Sequence, residues 1–274
     1  MPPLAAPARD CAHFKVPHYP IFETLPAMET TSPRPLAVIT GGSRGLGFES
    51  AKALAQRGFD LALIAKDGAK LESSAKEIQG VNVSTFVCDL EQPEQVRETI
   101  AAITQSLPVP QVLMLAHGVM SEKMSKTLRT TDAEWRRVMA INLDSVFQLV
   151  NGIAPAMADA RNGRIVIFSA CLGRMSGPGN AGGLAPYRIS KAGVNALVRN
   201  LAHETGLGAR GLLVDAICPN HSRTDMGGPD APRSAEEGAA TAIWLATRTF
   251  NAVGTTDQEK LTGVLWEDQQ VVPW

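Results

Sequence analysis

Short apolar runs alternate along this chain with longer segments in which apolar residues recur every three or four positions. The apolar runs predict strands, at 36–40, 60–65, 82–87, 111–116, 164–168, 212–217 and 263–265. The periodic segments predict helices, near 45–57, 69–79, 93–106, 132–160, 185–206 and 235–247. The fourth helix is long, and we expect a break in it near Gly152 and Pro155.

Strands that are apolar along their whole length predict a sheet that is covered on both faces. Regular alternation with helices predicts parallel strands joined by right-handed crossovers. We therefore predict an α/β fold, a single doubly wound parallel sheet with helices on both faces (a Rossmann fold). In such a sheet, ligands bind at the carboxyl ends of the strands.

The first part of the chain differs from the rest, because it is rich in proline and alanine and shows no clear period. We predict an irregular N-terminal extension at residues 1–34. Residues 35–274 then form the folded domain, and the full length of 274 residues suits one large α/β domain.

Composition narrows the class of protein. The net charge is −1, without long runs of one sign, which argues against nucleic acid or an anionic membrane as a partner. No apolar run approaches the roughly 18 residues of a membrane-spanning helix. The four cysteines, at 11, 88, 171 and 218, lack metal or disulfide spacing, so we expect no metal site. We expect a soluble, cytoplasmic protein.

A glycine-rich turn follows the first predicted strand and reads TGGSRGLG at 40–47. Glycines allow a tight turn and a close approach to a pyrophosphate, and the next helix directs its free N–H groups at the phosphates. The spacing is looser than Gly-x-Gly-x-x-Gly, so its position directly after a strand carries most of the weight. The predicted cofactor contacts in this turn are Gly41, Ser43, Arg44, Gly45, Leu46 and Gly47.

Two cations indicate which nucleotide is bound. Arg44 lies in the glycine-rich turn, and Lys66 follows the second strand, where an NAD-binding protein would place a carboxylate. Two cations there favour a 2′-phosphate and hence NADP (as NADPH). Asp67, one residue later, leaves NAD open, and a merely solvated Lys66 is the structural alternative.

A phenol and an ammonium group suggest the chemistry. Tyr187 and Lys191 lie four residues apart, one helical turn from each other on the same face. A free tyrosine has a pKa near 10, and we expect the neighbouring cation to lower it by stabilising the phenolate. Reduction of a ketone by hydride leaves an alkoxide that needs a proton. We predict that Tyr187 donates this proton.

Several ordered motifs together resemble the short-chain dehydrogenase/reductase family over about residues 35–274, with an ending similar to the carbonyl-reductase-like branch. The matching pieces are TGGSRGLG at 40–47, CDL at 88–90, Asn142 in MAINLDS, YRISK at 187–191 and CPNHSRTDM at 218–226. The resemblance implies a nicotinamide-dependent enzyme of this fold that forms a homo-oligomer, a dimer or a tetramer.

The resemblance also implies roles for individual residues. Asn142 would anchor a water in the proton relay, and Lys191 would bind the nicotinamide ribose as well as assist Tyr187. Asp89 would flank the adenine, Pro219 would lie against the nicotinamide, and Thr224 would hold its carboxamide. The remaining cofactor contacts are expected at Leu90, Ala116, Gly118 and Tyr187.

One catalytic residue of the family is missing. Members carry a serine just after the fifth strand, and counting back from Gly173 places Ala170 at that position. Ser169 is one residue early, and adjacent residues at a strand end point to opposite faces. We retain Ser169 as a candidate catalytic residue, with a structural hydroxyl as the alternative. Ser176 is a second candidate donor in the glycine-rich segment 172–186.

The end of the fourth strand also departs from the family. Leu115-Ala116-His117-Gly118 stands where members have Asn-Asn-Ala-Gly. His117 is thus a new titratable group, either an acid or base or a packed structural histidine. Asn220 replaces the glycine that usually follows Pro219, and we expect little cost because asparagine tolerates left-handed backbone geometry.

These observations predict an NADPH-dependent oxidoreductase that reduces a bulky, largely apolar ketone, with secondary metabolism as one setting. Its partner would be a small-molecule carbonyl compound. The alternative is a non-redox family member, a cyclase, dehydratase or isomerase. Such an enzyme would keep NADP bound and use Tyr187 or His117 as its acid or base.

Overall fold

A computed structural model provides the coordinates of the chain. It describes residues 33–122, 125–177, 182–250, 256–257 and 259–274. The predicted extension at 1–34 lies outside the described residues apart from its last two. Part of the glycine-rich segment 172–186 also lies outside them.

Eight strands form one sheet in the order β3-β2-β1-β4-β5-β6-β7-β8. The strands are β1 Leu36–Thr40, β2 Asp60–Ala65, β3 Val83–Val87, β4 Val112–Leu115, β5 Gly163–Phe168, β6 Leu212–Ile217, β7 Leu265–Glu267 and β8 Gln270–Val272. The first seven pair in parallel, and β8 pairs antiparallel with β7. The strand order reverses between β1 and β4, where a doubly wound sheet binds its ligand.

The last hairpin was only partly predicted. The seventh strand lies two residues later than 263–265, and β8 was not predicted at all. Asp268 and Gln269 join the two strands with φ of 50° and 61°, the left-handed geometry of a tight hairpin turn. The turn lacks the Asn-Gly or Asp-Gly pair that usually marks such a hairpin in a sequence.

Seven α-helices are described, and none of them is long and apolar enough to cross a membrane. The helices are α1 Gly45–Ala55, α2 Gly68–Glu77, α3 Pro93–Ser106, α4 Asp132–Met139, α5 Ser145–Asp159, α6 Ala185–Glu204 and α7 Ala235–Thr247. Side chains cap several of them. Asp67 accepts the backbone N–H of Lys70 at the start of α2, and Ser234 and Glu237 form a capping box on α7.

The predicted break near Gly152 and Pro155 is wrong. Helix α5 runs through both residues, and the long helical segment is interrupted earlier, by a π turn at Ala140–Asp144. Pro155 is exposed near the end of α5, so the carbonyl that loses its helical partner can reach water. The π turn instead carries the buried Asn142, and such turns are frequent at functional sites.

Two apolar clusters cover the two faces of the sheet, as the continuous apolar strands predicted. One joins strand residues such as Ile165 and Val214 to α5 and α6, through Leu149, Val194 and other side chains. The other joins the opposite face to α1 and α7, and it includes Trp266 of β7. The strand ends are therefore left as the region where polar side chains gather.

A buried ion pair fastens the last strands to α7. The Arg248 guanidinium donates to the Asp215 carboxylate at 2.8 Å, and both side chains are buried. Arg248 lies between the rings of Trp244 and Trp266, and the Trp266 indole N–H donates to Asp215. Because the two charges are paired and the guanidinium stacks on both rings, this end of the sheet is fixed. Removing either partner would leave a buried charge unpaired.

Candidate active site

The glycine-rich turn closes tightly against α1. Gly41 has a φ of +66°, and a Cβ added at Gly47 would lie 2.3 Å from the Gly41 carbonyl oxygen. Arg44 is the N-cap residue of α1, and its side chain makes no capping hydrogen bond there. The first N–H groups of α1 thus have no side-chain acceptor, which fits a phosphate at this helix end.

The backbone of this turn is held by neighbouring hydroxyls. Ser74 of α2 donates to the Ser43 carbonyl at 2.8 Å, and Ser50 donates to the Leu46 carbonyl at 2.8 Å. The segment after β6 passes over the turn, because a Cβ at Gly45 would lie 3.2 Å from the methyl carbon of Thr224. The structure thus brings these predicted cofactor residues together.

Both cations in the predicted nucleotide site have carboxylate partners. Arg44 forms an ion pair with Asp225 between two exposed side chains. Lys66 contacts Asp89 at 2.7 Å, and this carboxylate raises the pKa of Lys66. Asp67, the residue that left NAD open, caps α2. Its carboxylate therefore already has a structural role.

The strand ends bring the two halves of the site together. The Ala116 carbonyl oxygen lies 3.3 Å from a Cβ built at Gly41, so the end of β4 borders the glycine-rich turn. A Cβ built at Gly118 would lie 3.4 Å from both the Lys191 ammonium nitrogen and the Asn142 amide oxygen. The chain after β4 therefore connects the phosphate turn to the catalytic candidates on α6.

Two further predicted cofactor residues, Leu90 and Pro219, lie in the segments that follow β3 and β6. Leu90 is buried after β3, and the Pro219 carbonyl accepts a hydrogen bond from Ser222 at 3.0 Å. Asn220 has a φ of 57°, which confirms the expectation that asparagine replaces glycine here in left-handed geometry. The turn after β6 therefore keeps its shape without the usual glycine.

Asn142 clamps the chain after β4 onto α6. Its amide nitrogen donates to the Val119 carbonyl at 2.9 Å and to the Ser190 hydroxyl at 3.1 Å, and its oxygen accepts the Val119 N–H at 2.8 Å. The side chain is fully buried. These contacts make Asn142 a positioning residue, and its role in a water relay stays a prediction.

Tyr187 and Lys191 are both buried on one face of α6, and the Lys191 nitrogen lies 6.0 Å from the centre of the phenol ring. That nitrogen donates to the Phe168 carbonyl at 2.7 Å. Burial lowers the pKa of Lys191 to about 8. Burial also raises the pKa of Tyr187 above its ordinary value, and the neighbouring Cys218 and Cys171 add to this shift.

The direction of the Tyr187 shift differs from the expectation. We expected Lys191 to lower the pKa of the phenol, but desolvation dominates and raises it. The Lys191 ammonium is instead directed at the end of β5. At neutral pH the pair is a protonated phenol beside a charged ammonium, which is the form that a proton donor requires.

The hydroxyls near the missing serine have other partners. Ser169 donates to the amide oxygen of Asn195 on α6, and Ser176 donates to the Trp274 carbonyl at 3.0 Å. Ala170 is buried at the position that counting assigned to the serine. The structure thus gives Ser169 a structural bond, and its catalytic role stays a prediction.

A closed hydrogen-bond network surrounds His117. The Thr40 hydroxyl accepts the Ala116 N–H at 3.1 Å and lies 2.6 Å from His117 Nδ1. His117 Nε2 lies 3.0 Å from the Ile141 carbonyl and 2.9 Å from the Ser145 hydroxyl, which itself donates to Ile141. The consistent assignment is a neutral ring that donates from Nε2 and accepts at Nδ1.

The electrostatics agree with that assignment. Burial lowers the pKa of His117 to about 3, and the charge of Lys191 contributes to the shift. A ring with so low a pKa is a weak base, and both of its nitrogens already have hydrogen-bond partners within the protein. The structure therefore supports the packed structural histidine over the acid or base.

Two residues beside the phenol were missed. Cys171 follows β5 and Cys218 follows β6, and both lie close enough to Tyr187 to shift its pKa. The only signal in the sequence was their position just after two predicted strands. Among the described residues, no group of three or more His, Cys, Asp or Glu side chains is placed to hold a metal ion.

The fold and the site define a nucleotide-binding enzyme of the doubly wound α/β class, and comparisons specify it further. The family described as short chain dehydrogenase matches residues 35–234. The chain belongs to this family and is an oxidoreductase.

Relatives and solved structures agree. The 3-oxoacyl-(acyl-carrier-protein) reductase FabG of Staphylococcus epidermidis is 31% identical over 193 residues, 69% of this chain and 76% of that protein. A protein of Streptomyces violaceoruber, provisionally named ketoacyl reductase 1 of the granaticin polyketide synthase, is 32% identical over 207 residues, 74% and 73% of the two chains. A variant of the actinorhodin polyketide ketoreductase, solved with NADPH, superposes with a TM-score of 0.71 at 22% identity, covering 85% of this chain and 94% of that one.

Replacing His117 should change how stability depends on pH. Between pH 6.5 and about 3, His117 is protonated in the unfolded chain but not in the folded chain. The free energy of unfolding of the wild type therefore falls as the pH is lowered through this range. The loss from this group between pH 7 and pH 4.5 is about 2–3 kcal/mol. In His117→Gln that part of the slope should vanish, as measured by urea unfolding across this range. The exposed His203→Gln should keep the wild-type slope, and equal slopes in all three proteins would contradict the assignment.

Proposed function

We propose that this enzyme uses NADPH to reduce a bulky, largely apolar ketone, with Tyr187 donating the proton. The observation that carries the proposal is the buried, protonated phenol one helical turn from the Lys191 ammonium, at the sheet edge that also holds the glycine-rich turn. Relatives named as 3-oxoacyl and ketoacyl reductases support a ketone as the substrate class.

The residues present fit a dinucleotide. The uncapped start of α1 suits the pyrophosphate, and Arg44 and Lys66 suit a 2′-phosphate, which would replace their present carboxylate partners. The other contacts expected of the cofactor come from residues along the same strand ends, Asp89, Leu90, Ala116, Gly118, Lys191, Pro219 and Thr224. When bound, NADPH supplies the hydride for reduction.

The chain's own residues supply and position the proton. Tyr187 gives the proton of its hydroxyl to the oxygen of the reduced carbonyl, and the phenolate that remains is a buried anion. Lys191, still charged below pH about 8, provides the compensating positive charge. Asn142 keeps α6 fixed to the end of β4 through Val119 and Ser190, so the two groups hold their relative geometry.

Because Ala170 replaces the family's serine, we expect a lower rate of ketone reduction. Removing one preorganised donor to a developing oxyanion typically costs about 10² to 10³ in rate. Total accelerations by enzymes reach roughly 10⁶ or more, so turnover survives this loss. With Ala170 in that place, we expect a slow reductase.

The side chains around the site support an apolar substrate, and the free cysteines support an enzyme in a reducing compartment. Met175 and Met226 are exposed on the segments that follow β5 and β6, at the same edge as the phenol. Methionine side chains adapt to varied apolar shapes.

The described cysteines Cys88, Cys171 and Cys218 are free thiols, which supports a cytoplasmic enzyme.

The proposed mechanism predicts how substitutions at Tyr187 and Ala170 change the rate of ketone reduction. Tyr187→Phe should lose ketone reduction by about 10²-fold or more while still binding NADPH, because only the acid is removed. Ala170→Ser should retain turnover or raise it. The assay follows the near-ultraviolet absorbance of NADPH across a panel of aromatic and aliphatic ketones. Full activity in Tyr187→Phe would exclude this mechanism, and product formed without NADPH consumption would establish the non-redox alternative.

The cofactor preference depends on Lys66. Lys66→Ala should weaken NADPH binding by about 10- to 100-fold, the worth of a charge-assisted hydrogen bond to phosphate, and leave NADH binding nearly unchanged. Energy transfer from tryptophan to the reduced nicotinamide measures both affinities. Lys70→Ala, on the exposed side of α2, is the control. An equal loss for both nucleotides would show that Lys66 does not contact the 2′-phosphate.

We also propose a homo-oligomer, a dimer or tetramer, formed through α5 and α6. Phe147 on α5 and Ile189 on α6 are large apolar residues that are about half exposed, 54% and 43%. Phe147→Glu should dissociate the assembly, which sedimentation velocity would detect. A wild-type monomer at micromolar concentration would refute the proposal.

A further inference from the structure

Two cysteine thiols meet where β5 and β6 end. The strands are parallel neighbours with Phe168 opposite Ile217, and the Ser169 N–H continues the pairing by donating to Ile217 at 2.8 Å. Neighbouring strands lie about 4.8 Å apart. Cys218 follows this paired region directly and Cys171 lies two residues beyond Ser169, and each thiol is the largest influence on the pKa of the other.

The two thiols have different environments. Cys218 is buried, and its sulfur also lies 3.9 Å from the Asn220 side-chain oxygen. Cys171 is half-buried, and the neighbouring Cys218 thiol lowers the pKa of Cys171. Cys171 is therefore the accessible nucleophile and Cys218 the covered partner. Cys88 is different, because burial raises the pKa of its thiol.

We propose that Cys171 and Cys218 form a redox-active dithiol beside the active site, which low-molecular-weight disulfides such as oxidised glutathione convert to an intramolecular disulfide. The Cys171 thiolate attacks one sulfur of the small disulfide and releases the first small thiol. Cys218 then loses its proton and attacks the Cys171 sulfur, which releases the second small thiol. Two protein thiols are oxidised, and one small disulfide is reduced to two thiols.

The new bond would act on the catalytic helix. Cys171 begins a 3-10 turn that ends at Gly173, and a Cβ at Gly173 would lie 2.7 Å from the Lys191 Cβ. A disulfide holds its sulfurs about 2.0 Å apart, closer than two separate thiols can lie. The turn must therefore shift against α6 beside Tyr187. We expect the oxidised enzyme to reduce ketones at least about tenfold more slowly, an effect that rests on the proposed function.

Peptide mapping tests the bond without an activity assay. The reduced full-length protein is treated with oxidised glutathione, alkylated with iodoacetamide and digested with trypsin. The expected product links peptides 165–174 and 211–223, lighter by two hydrogens than the two free peptides. Glutathione on Cys171 without conversion to the linked product, or both thiols alkylated throughout, would overturn the proposal.

Variants assign the roles of the two sulfurs. Cys218→Ala should stop the reaction at a glutathione adduct on Cys171, and Cys171→Ala should give no linked product. Cys88→Ala is the matched control and should form the link as wild type does. If an alanine variant fails to fold, the corresponding serine variant replaces it. A linked product that persists without Cys171 would contradict the assignment.

The effect on turnover is measured on the same oxidised sample before and after dithiothreitol. Slower ketone reduction that recovers with the reductant supports control of the site by the dithiol. A linked protein with unchanged turnover would overturn that control. A reduced enzyme that shows no turnover at all would refute the proposed function, while the linked peptides still decide whether the dithiol forms.

Discussion

A positive charge buried at the carboxyl edge of the sheet is the interaction on which the rest of the site depends. The Lys191 ammonium is 3% exposed, and its hydrogen bond to the Phe168 carbonyl ties α6 to the end of β5. A buried charge is costly unless polar groups surround it. The Asn142 amide oxygen and the Tyr187 ring lie nearby. At pH 7 the charge survives, because burial lowers the pKa of Lys191 only to about 8.

The residues around the Lys191 ammonium fit a buried positive charge. His117 stays neutral beside it, since burial and the Lys191 charge both lower the histidine pKa. The neutral ring then supplies hydrogen bonds within the β4 end, where the family's two asparagines are absent. Close packing reaches Gly118 and Gly173, where an added Cβ would lie 3.4 Å and 2.7 Å from atoms of Lys191. The contact at Gly173 is too close for any side chain, whereas the distance at Gly118 is an ordinary van der Waals contact.

The sequence predicted those features that depend on local periodicity. Six of the seven predicted strands lie within one residue of their observed bounds, because an apolar run is a local pattern. Asn142, in the π turn, bonds to Val119, 23 residues away, and periodicity does not report such contacts. The same holds for the bond between Ser169 and Asn195. The Tyr187 shift was predicted with the wrong sign because helical spacing shows the cation and not the depth of burial.

Burial shifts the pKa values of Tyr187 and Lys191 in opposite directions, and both shifts disfavour charge. Before reaction the pair holds one charge, the ammonium. In the proposed reaction the phenol gives up its proton, and the phenolate and the ammonium would then form a neutral ion pair in which each ion stabilises the other. Ala170 keeps a hydroxyl out of this space and leaves it less polar. The phenol is therefore protonated at neutral pH, which is the form that the proposed proton donation requires.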